Sequence, residues 1–172
     1  AGDGSLSMTP PQNEPADQYV YNPDEPTPSA GFTNGHIDGP RDIGESQQRA
    51  DVLVYTTPVL EQDTDVIGPI TAQIFAATSA NDTDWMVRLS DVSPDGRASF
   101  LAEGVMRARH RDPEQGGAFN AHQLSQIEAD KVYPYLIEFW RPTGNRFLAG
   151  HRIRVEISSS YYPYYLRNLN TG

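Results

Sequence analysis

Apolar and polar residues alternate with a period of two over Arg152-Ile153-Arg154-Val155-Glu156-Ile157-Ser158. That period places Ile153, Val155 and Ile157 on a buried side of an extended strand and turns their charged neighbours to water. Asp84 to Ser90 alternates likewise, directing Trp85, Val87 and Leu89 inward. Ile70 to Ala77 is nearly all apolar and predicts a strand covered on both faces. Val132 to Trp140 predicts another, with Tyr133, Tyr135, Ile137 and Phe139 sharing a side. Ser93-Pro94-Asp95-Gly96-Arg97 holds a proline that presets φ, an aspartate that bonds its own backbone and a glycine for positive φ. It predicts a hairpin joining strands near 84–92 and 97–109. Thr143-Gly144-Asn145 is a second candidate turn. The one helical prospect is Ala118 to Ala129, where Phe119, His122, Leu124 and Ile127 are loosely periodic. The expected class is all-β, a two-sheet sandwich.

The first 50 residues break this pattern. They hold seven of the 14 prolines and six of the 14 glycines, and each proline removes an N–H and pushes its predecessor toward extended geometry. We expect residues 1–50 to be an irregular acidic segment packed on a sandwich formed by 51–172, its anchors being residues such as Tyr19, Tyr21, Phe32 and Ile43. The formal net charge of −10 belongs to the N-terminal third. Residues 1–65 carry 12 acids and two arginines, whereas acids and bases balance from 66 onward. With no basic stripe, nucleic acid and anionic membrane surfaces are not expected partners. No apolar run exceeds four residues, against about 20 for a spanning helix. The chain begins with alanine and shows no signal-peptide pattern, which suggests an excised or processed fragment; bacterial cytoplasm and secretion both stay open.

The chemistry of catalysis is sparse. There is no cysteine, hence no disulfide, thiolate metal site or cysteine nucleophile. No serine has the flanking glycines of a nucleophile elbow, the single lysine follows Asp130, and His36, His110, His122 and His151 are far apart. No catalytic residue, cofactor or metal site is expected. Asn81-Asp82-Thr83-Asp84 and Asp63-Thr64-Asp65 offer oxygen ligands for calcium, though turn residues making Asx bonds are favoured. Arg107, Arg109 and Arg111 alternate and would share a strand face, either paired with carboxylates in solvent or presented for docking. The segment Tyr161 to Arg167 contains four of the nine tyrosines. Such density reads as an interface, with a sugar-stacking platform as the alternative.

The ordered blocks Tyr19-Val20-Tyr21-Asn22-Pro23, Gly39-Pro40-Arg41-Asp42, Asp51-Val52-Leu53-Val54-Tyr55-Thr56, Val66-Ile67-Gly68-Pro69 and Asp82-Thr83-Asp84-Trp85 carry a resemblance. It continues through Leu89 to Arg97, Gly104-Val105-Met106-Arg107-Ala108-Arg109, and Gly150 to Ser160 with Arg167-Asn168-Leu169-Asn170-Thr171-Gly172. The chain resembles the C-terminal, non-catalytic β-sandwich of the serine hydrolases that include cocaine esterase, X-prolyl dipeptidyl-peptidase and α-amino acid ester hydrolases (the CocE/NonD hydrolases). The resemblance implies a jelly-roll, galactose-binding-like sandwich attached to an α/β-hydrolase domain that holds the whole Ser-Asp-His triad. It implies that the loop Ser29 to Asp38 helps wall the substrate pocket, with Gly31, Phe32, Asn34 and His36 as the wall residues. The interdomain interface would use Arg107, Arg109, Tyr161, Tyr162, Tyr164, Tyr165, Arg167, Asn168 and Asn170. Relatives continue to at least one further strand, so a sheet edge is expected to lack its neighbour here. Homo-oligomer formation stays open. The alternatives are a stand-alone carbohydrate-binding module and a calcium-stabilised adhesion domain.

Overall fold

Ser93 and Arg97 close the hairpin turn through a backbone bond of 3.0 Å, with Gly96 at φ 91°. This turn joins the two longest strands of the computed structural model, which describes residues 4–12, 14–29 and 41–171. The strands are β1 (Leu53–Thr56), β2 (Thr64–Gly68), β3 (Thr71–Ala76), β4 (Asp84–Val92) and β5 (Ala98–Arg107). They continue with β6 (Arg111–Asp112), β7 (Ala118–Phe119), β8 (Tyr133–Glu138), β9 (Thr143–Phe147) and β10 (Arg152–Ser158). One antiparallel sheet runs β1-β10-β4-β5; the pairs β3-β8, β2-β9 and β6-β7 complete a sandwich-like arrangement.

The main core lies between the four-stranded sheet and the β3-β8 pair. Trp85 and Val87 of β4, Met106 of β5, Ala108, and Tyr135 and Ile137 of β8 are buried together. Each fully buried large apolar side chain contributes roughly 1.5–3 kcal/mol. The shared side expected for Tyr133, Tyr135, Ile137 and Phe139 is observed: all four belong to this cluster or pack against it.

Several expectations are corrected. β4 is not half-wet: Met86, Arg88 and Ser90 are buried as fully as Val87. The back of the sheet is covered as well, by Gln47 near Ser90 and by Tyr161 stacked on Arg88. For the same reason Glu156, expected at the water face of β10, is 1% exposed. β3 is covered on one face only, leaving Phe75 70% exposed. Thr143–Asn145 is strand rather than turn, because β9 pairs along β2; the chain reverses instead at Leu148–His151, with Gly150 at φ 87°. No helix forms over 118–129. The Asn120 side chain accepts the N–H groups of His122 and Gln123, and Ser125 N–H bonds to the Arg109 carbonyl, so the backbone is satisfied as loop. A 3-10 turn at Ala108–His110 separates Arg107 from Arg111, so the three arginines do not share a strand face.

The N-terminal segment is laced onto the body. Residues 4–6 exchange backbone bonds with Thr56, Tyr19 and Ser159 hydroxyls lie 2.7 Å apart, and Pro28 bridges to Tyr162. Farther on, Asp51 receives Arg49 at 2.7 Å and the Thr27 hydroxyl at 3.1 Å. Burial works to raise the Asp51 pKa, but these partners outweigh it and hold the carboxyl below its ordinary value.

Candidate interdomain face

The tail after β10 is held by a chain of buried charges. The Arg88 guanidinium lies over the Tyr161 ring, bonds Glu156 at 3.4 Å and Glu103 at 3.2 Å. Tyr161 is fully buried and donates its hydroxyl to Glu156 at 3.0 Å. Glu103 in turn accepts the Tyr165 hydroxyl at 2.9 Å. The network thus runs from the sheet interior to the surface, and fixes where residues 161–165 emerge.

Glu156 carries the electrostatic strain of this network. Burial pushes its pKa up from 4.5, only partly offset by Arg88, Gln47 and Tyr161, and its Oε2 has no hydrogen-bond partner. A carboxyl raised in the folded state adds stability below its unfolded pKa and loses it as pH rises through the folded one. The chain is therefore expected to lose stability relative to Glu156→Gln as pH rises from 4.5 toward neutrality. Urea unfolding of both proteins across this range checks it; a difference independent of pH would contradict it.

Around the outlet of this network lies an apolar, aromatic face. Trp140 is 66% exposed, Leu166 82%, and Tyr162 and Tyr164 remain partly open. Trp140 is placed there by its N–H bond to the Glu103 carbonyl, and Tyr164 packs edge-on against Tyr165 at 4.7 Å. The described residues on either side of 30–40 are tied to this network: Ser29 N–H bonds to Tyr162 O at 2.8 Å, and Phe100 N–H to Arg41 O at 2.7 Å, with Phe100 beside Arg88. Gly31, Phe32, Asn34 and His36, the expected pocket wall, lie outside the described residues.

The other expected interface residues divide. Tyr161 is inside the domain, so it supports the face from beneath rather than touching a partner. Asn168 is also buried, donating to Asp82 at 3.3 Å and Asp84 at 3.0 Å. Arg107 pairs with Asp84 at 3.0 Å and Arg109 with Asp82 at 3.2 Å, so carboxylates answer these arginines within the fold. Arg167 bonds the Pro23 carbonyl, and Asn170 takes φ 61° with its N–H on Asn168 Oδ1. Arg167, and the Tyr21 hydroxyl on the Asn168 carbonyl, tie the tail to the N-terminal segment. Asp84 enters β4 as expected, and Asp82 and Asp84 serve there as ion-pair and hydrogen-bond acceptors. Trp140, Arg88, Glu103 and Glu156 were missed as contributors; for Arg88 and Glu156 the one signal was a charge at a strand position that alternation assigns to water.

His151 meets Asp91 at 2.8 Å, but among the described residues no serine hydroxyl bonds a histidine ring. Nor do the described residues gather three or more side chains able to hold a metal. The described residues form a sandwich-like β body whose buried charges are paired within it. The chain belongs to the family of the X-Pro dipeptidyl-peptidase C-terminal non-catalytic domain, whose pattern matches residues 1–172. It is 42% identical over 175 residues to cocaine esterase of Rhodococcus sp. (strain MB1 Bresler), covering 99% of this chain and 29% of that protein. Its fold matches an aminopeptidase from a marine sediment Thaumarchaeota archaeon, with a TM-score of 0.87 and 31% identity over 99% of this chain and 30% of that one. An α-amino acid ester hydrolase matches with a TM-score of 0.85 and 26% identity, over 99% of this chain and 29% of that one. The chain spans less than a third of each relative.

Proposed function

We infer that this chain is the accessory domain of a serine hydrolase acting on ester or amide bonds, X-Pro peptide bonds included. Its partner is an α/β-hydrolase catalytic domain in the same parent protein. The sandwich, of jelly-roll type in this reading, stabilises that neighbour and lends the 30–40 loop as one wall of the substrate pocket. The observation that carries the reading is the aromatic face at Trp140, Tyr162 and Tyr164, with the residues on either side of 30–40 tied to the network beneath it. Apolar faces rimmed by polar residues mark contact sites, and pockets favour domain boundaries, where two rigid surfaces exclude water. The sugar-platform alternative called on four tyrosines, and Tyr161 and Tyr165 are engaged within the fold.

In the parent protein, Trp140→Ala combined with Tyr164→Ala is expected to weaken docking by about 2–4 kcal/mol, the range of central aromatic anchors. The readout is a shorter half-life of ester hydrolysis on heating, and an unchanged half-life would sink the docking face. Phe32→Ala tests the pocket wall separately: KM rises several-fold with kcat nearly constant, and an unaltered KM would remove the loop from the pocket.

A further inference from the structure

We propose that Arg152 and Arg154 of β10 form a carboxylate-binding site, filled by an aspartate or glutamate of the catalytic domain docked over the back of the four-stranded sheet. The proposal rests on the reading that such a domain lies elsewhere in the parent protein. Alternate residues of a strand share a face. The unbroken pairing of β10 with β4 therefore puts Arg152, Arg154 and Glu156 on one side, opposite Val92, Ser90 and Arg88. Tyr161 covers that side at Arg88, and the chain runs on from it to Tyr162 and Tyr164 of the aromatic face. The two arginines thus stand on the side of the sheet that the tail covers, farther along β10.

Both side chains are half-buried and held by neutral partners. Arg154 donates its Nε to Thr56 Oγ1 at 2.9 Å and its Nη1 to Gln47 Oε1 at 2.8 Å. Arg152 donates Nη1 to the Thr57 carbonyl at 3.0 Å. Those bonds orient both guanidiniums but cancel no charge, and two cations side by side repel. Among the described residues neither arginine forms an ion pair with a carboxylate, whereas Arg49, Arg88, Arg107, Arg109, Arg146 and Arg167 all do. Acids outnumber bases by 23 to 13, so the missing partner is not a matter of supply. The Arg154 pKa carries the same imbalance: burial lowers it, Glu156 opposes, and Arg152 lowers it again. Glu156 is already bonded to Arg88 and Tyr161.

A guanidinium presents its donors as a planar fork that matches a carboxylate. The nitrogens not used in the bonds above, Nε and Nη2 of Arg152 and Nη2 of Arg154, supply that fork. One carboxylate brought in by a docked domain answers both cations, and such a contact fixes the register of docking beside the aromatic contacts.

Carbodiimide coupling on the parent protein tests the site. Lys131 is the one lysine of these 172 residues and pairs with Glu128. Arg154→Lys therefore adds a single side-chain amine within them and keeps the charge. The reagent activates a carboxyl group, and an amine in contact with it displaces the activating group to form an amide. Peptide mapping is expected to join position 154 to an aspartate or glutamate outside residues 1–172 in a monomeric product. A link confined to carboxylates within these residues, a crosslinked dimer, or no link at position 154 beside a formed Lys131–Glu128 link would overturn the proposal. Phosphate in place of chloride, at equal ionic strength, separates a docked carboxylate from a free anion. The melting temperatures of the unsubstituted parent and of Arg152→Leu with Arg154→Leu are expected to shift equally; a gain confined to the unsubstituted protein would assign the site to a free anion instead. Fluorophosphonate labelling of the same preparation keeps the two readings apart. A labelled enzyme whose position 154 finds no outside carboxylate defeats this site alone, and an unlabelled protein that gives the outside link defeats the hydrolase reading alone.

Discussion

Arg88→Leu is expected to destabilise the chain by about 3–5 kcal/mol, because it strands buried charge. Among the described residues Glu156, 1% exposed, has Arg88 as its one ion-pair partner, and Glu103, also largely buried, loses its own pair and keeps Tyr165. The Tyr161 ring loses its stacked guanidinium at the same time. For a domain of this size each kcal/mol moves Tm by roughly 2–4 °C, so the melting temperature should fall by about 10 °C. The double substitution Arg88→Leu with Glu156→Leu removes both charges and should recover a large part of the loss, since an apolar replacement of a whole buried pair is often neutral. Thermal unfolding of the single and double variants checks this. A single variant within 1 °C of the parent sequence would show that the network is not what holds the tail.

Gly117→Ala is the second large effect. A Cβ there would sit 2.1 Å from the Pro134 carbonyl oxygen and 3.0 Å from Tyr135 Cα, at φ +88°. Both obstacles are backbone of β8, and Gly117 itself accepts Leu136 N–H at 2.9 Å, so neither side can retreat without opening that ladder. Positive φ costs about 1–2 kcal/mol and overpacking a further 1–3, giving roughly 3 kcal/mol in total. Gly116→Ala is the control. It has φ +65° but nothing within 4 Å, so it should lose only the conformational part, about 1–2 kcal/mol. Equal losses at the two glycines in urea unfolding would contradict the steric account.

Strand existence was legible because period-two alternation and turn chemistry are local. The β4–β5 hairpin shows this best: Pro94, Asp95 and Gly96 predict it, and the strands meet on either side of it. What escaped was anything set by a third layer. Arg88 and Glu156 occupy positions that alternation gives to water, yet residues distant in sequence, Gln47 and Tyr161 among them, cover that face of the sheet. Phe75 failed in the opposite sense. An apolar run reads as doubly covered, but β3 has solvent on its outer face. Tyrosine density pointed to the right segment without saying which rings face out, because Tyr161 turns in toward Glu156 while Tyr162 and Tyr164 do not. Ordered blocks along the whole chain identified the family where no single catalytic motif existed to be found.

The most direct trial is to treat the parent protein with a fluorophosphonate probe, digest it and map the modified serine. Our account places the label on a peptide outside residues 1–172, with these residues unlabelled even at full inactivation. A stoichiometric adduct on any serine within them would contradict it.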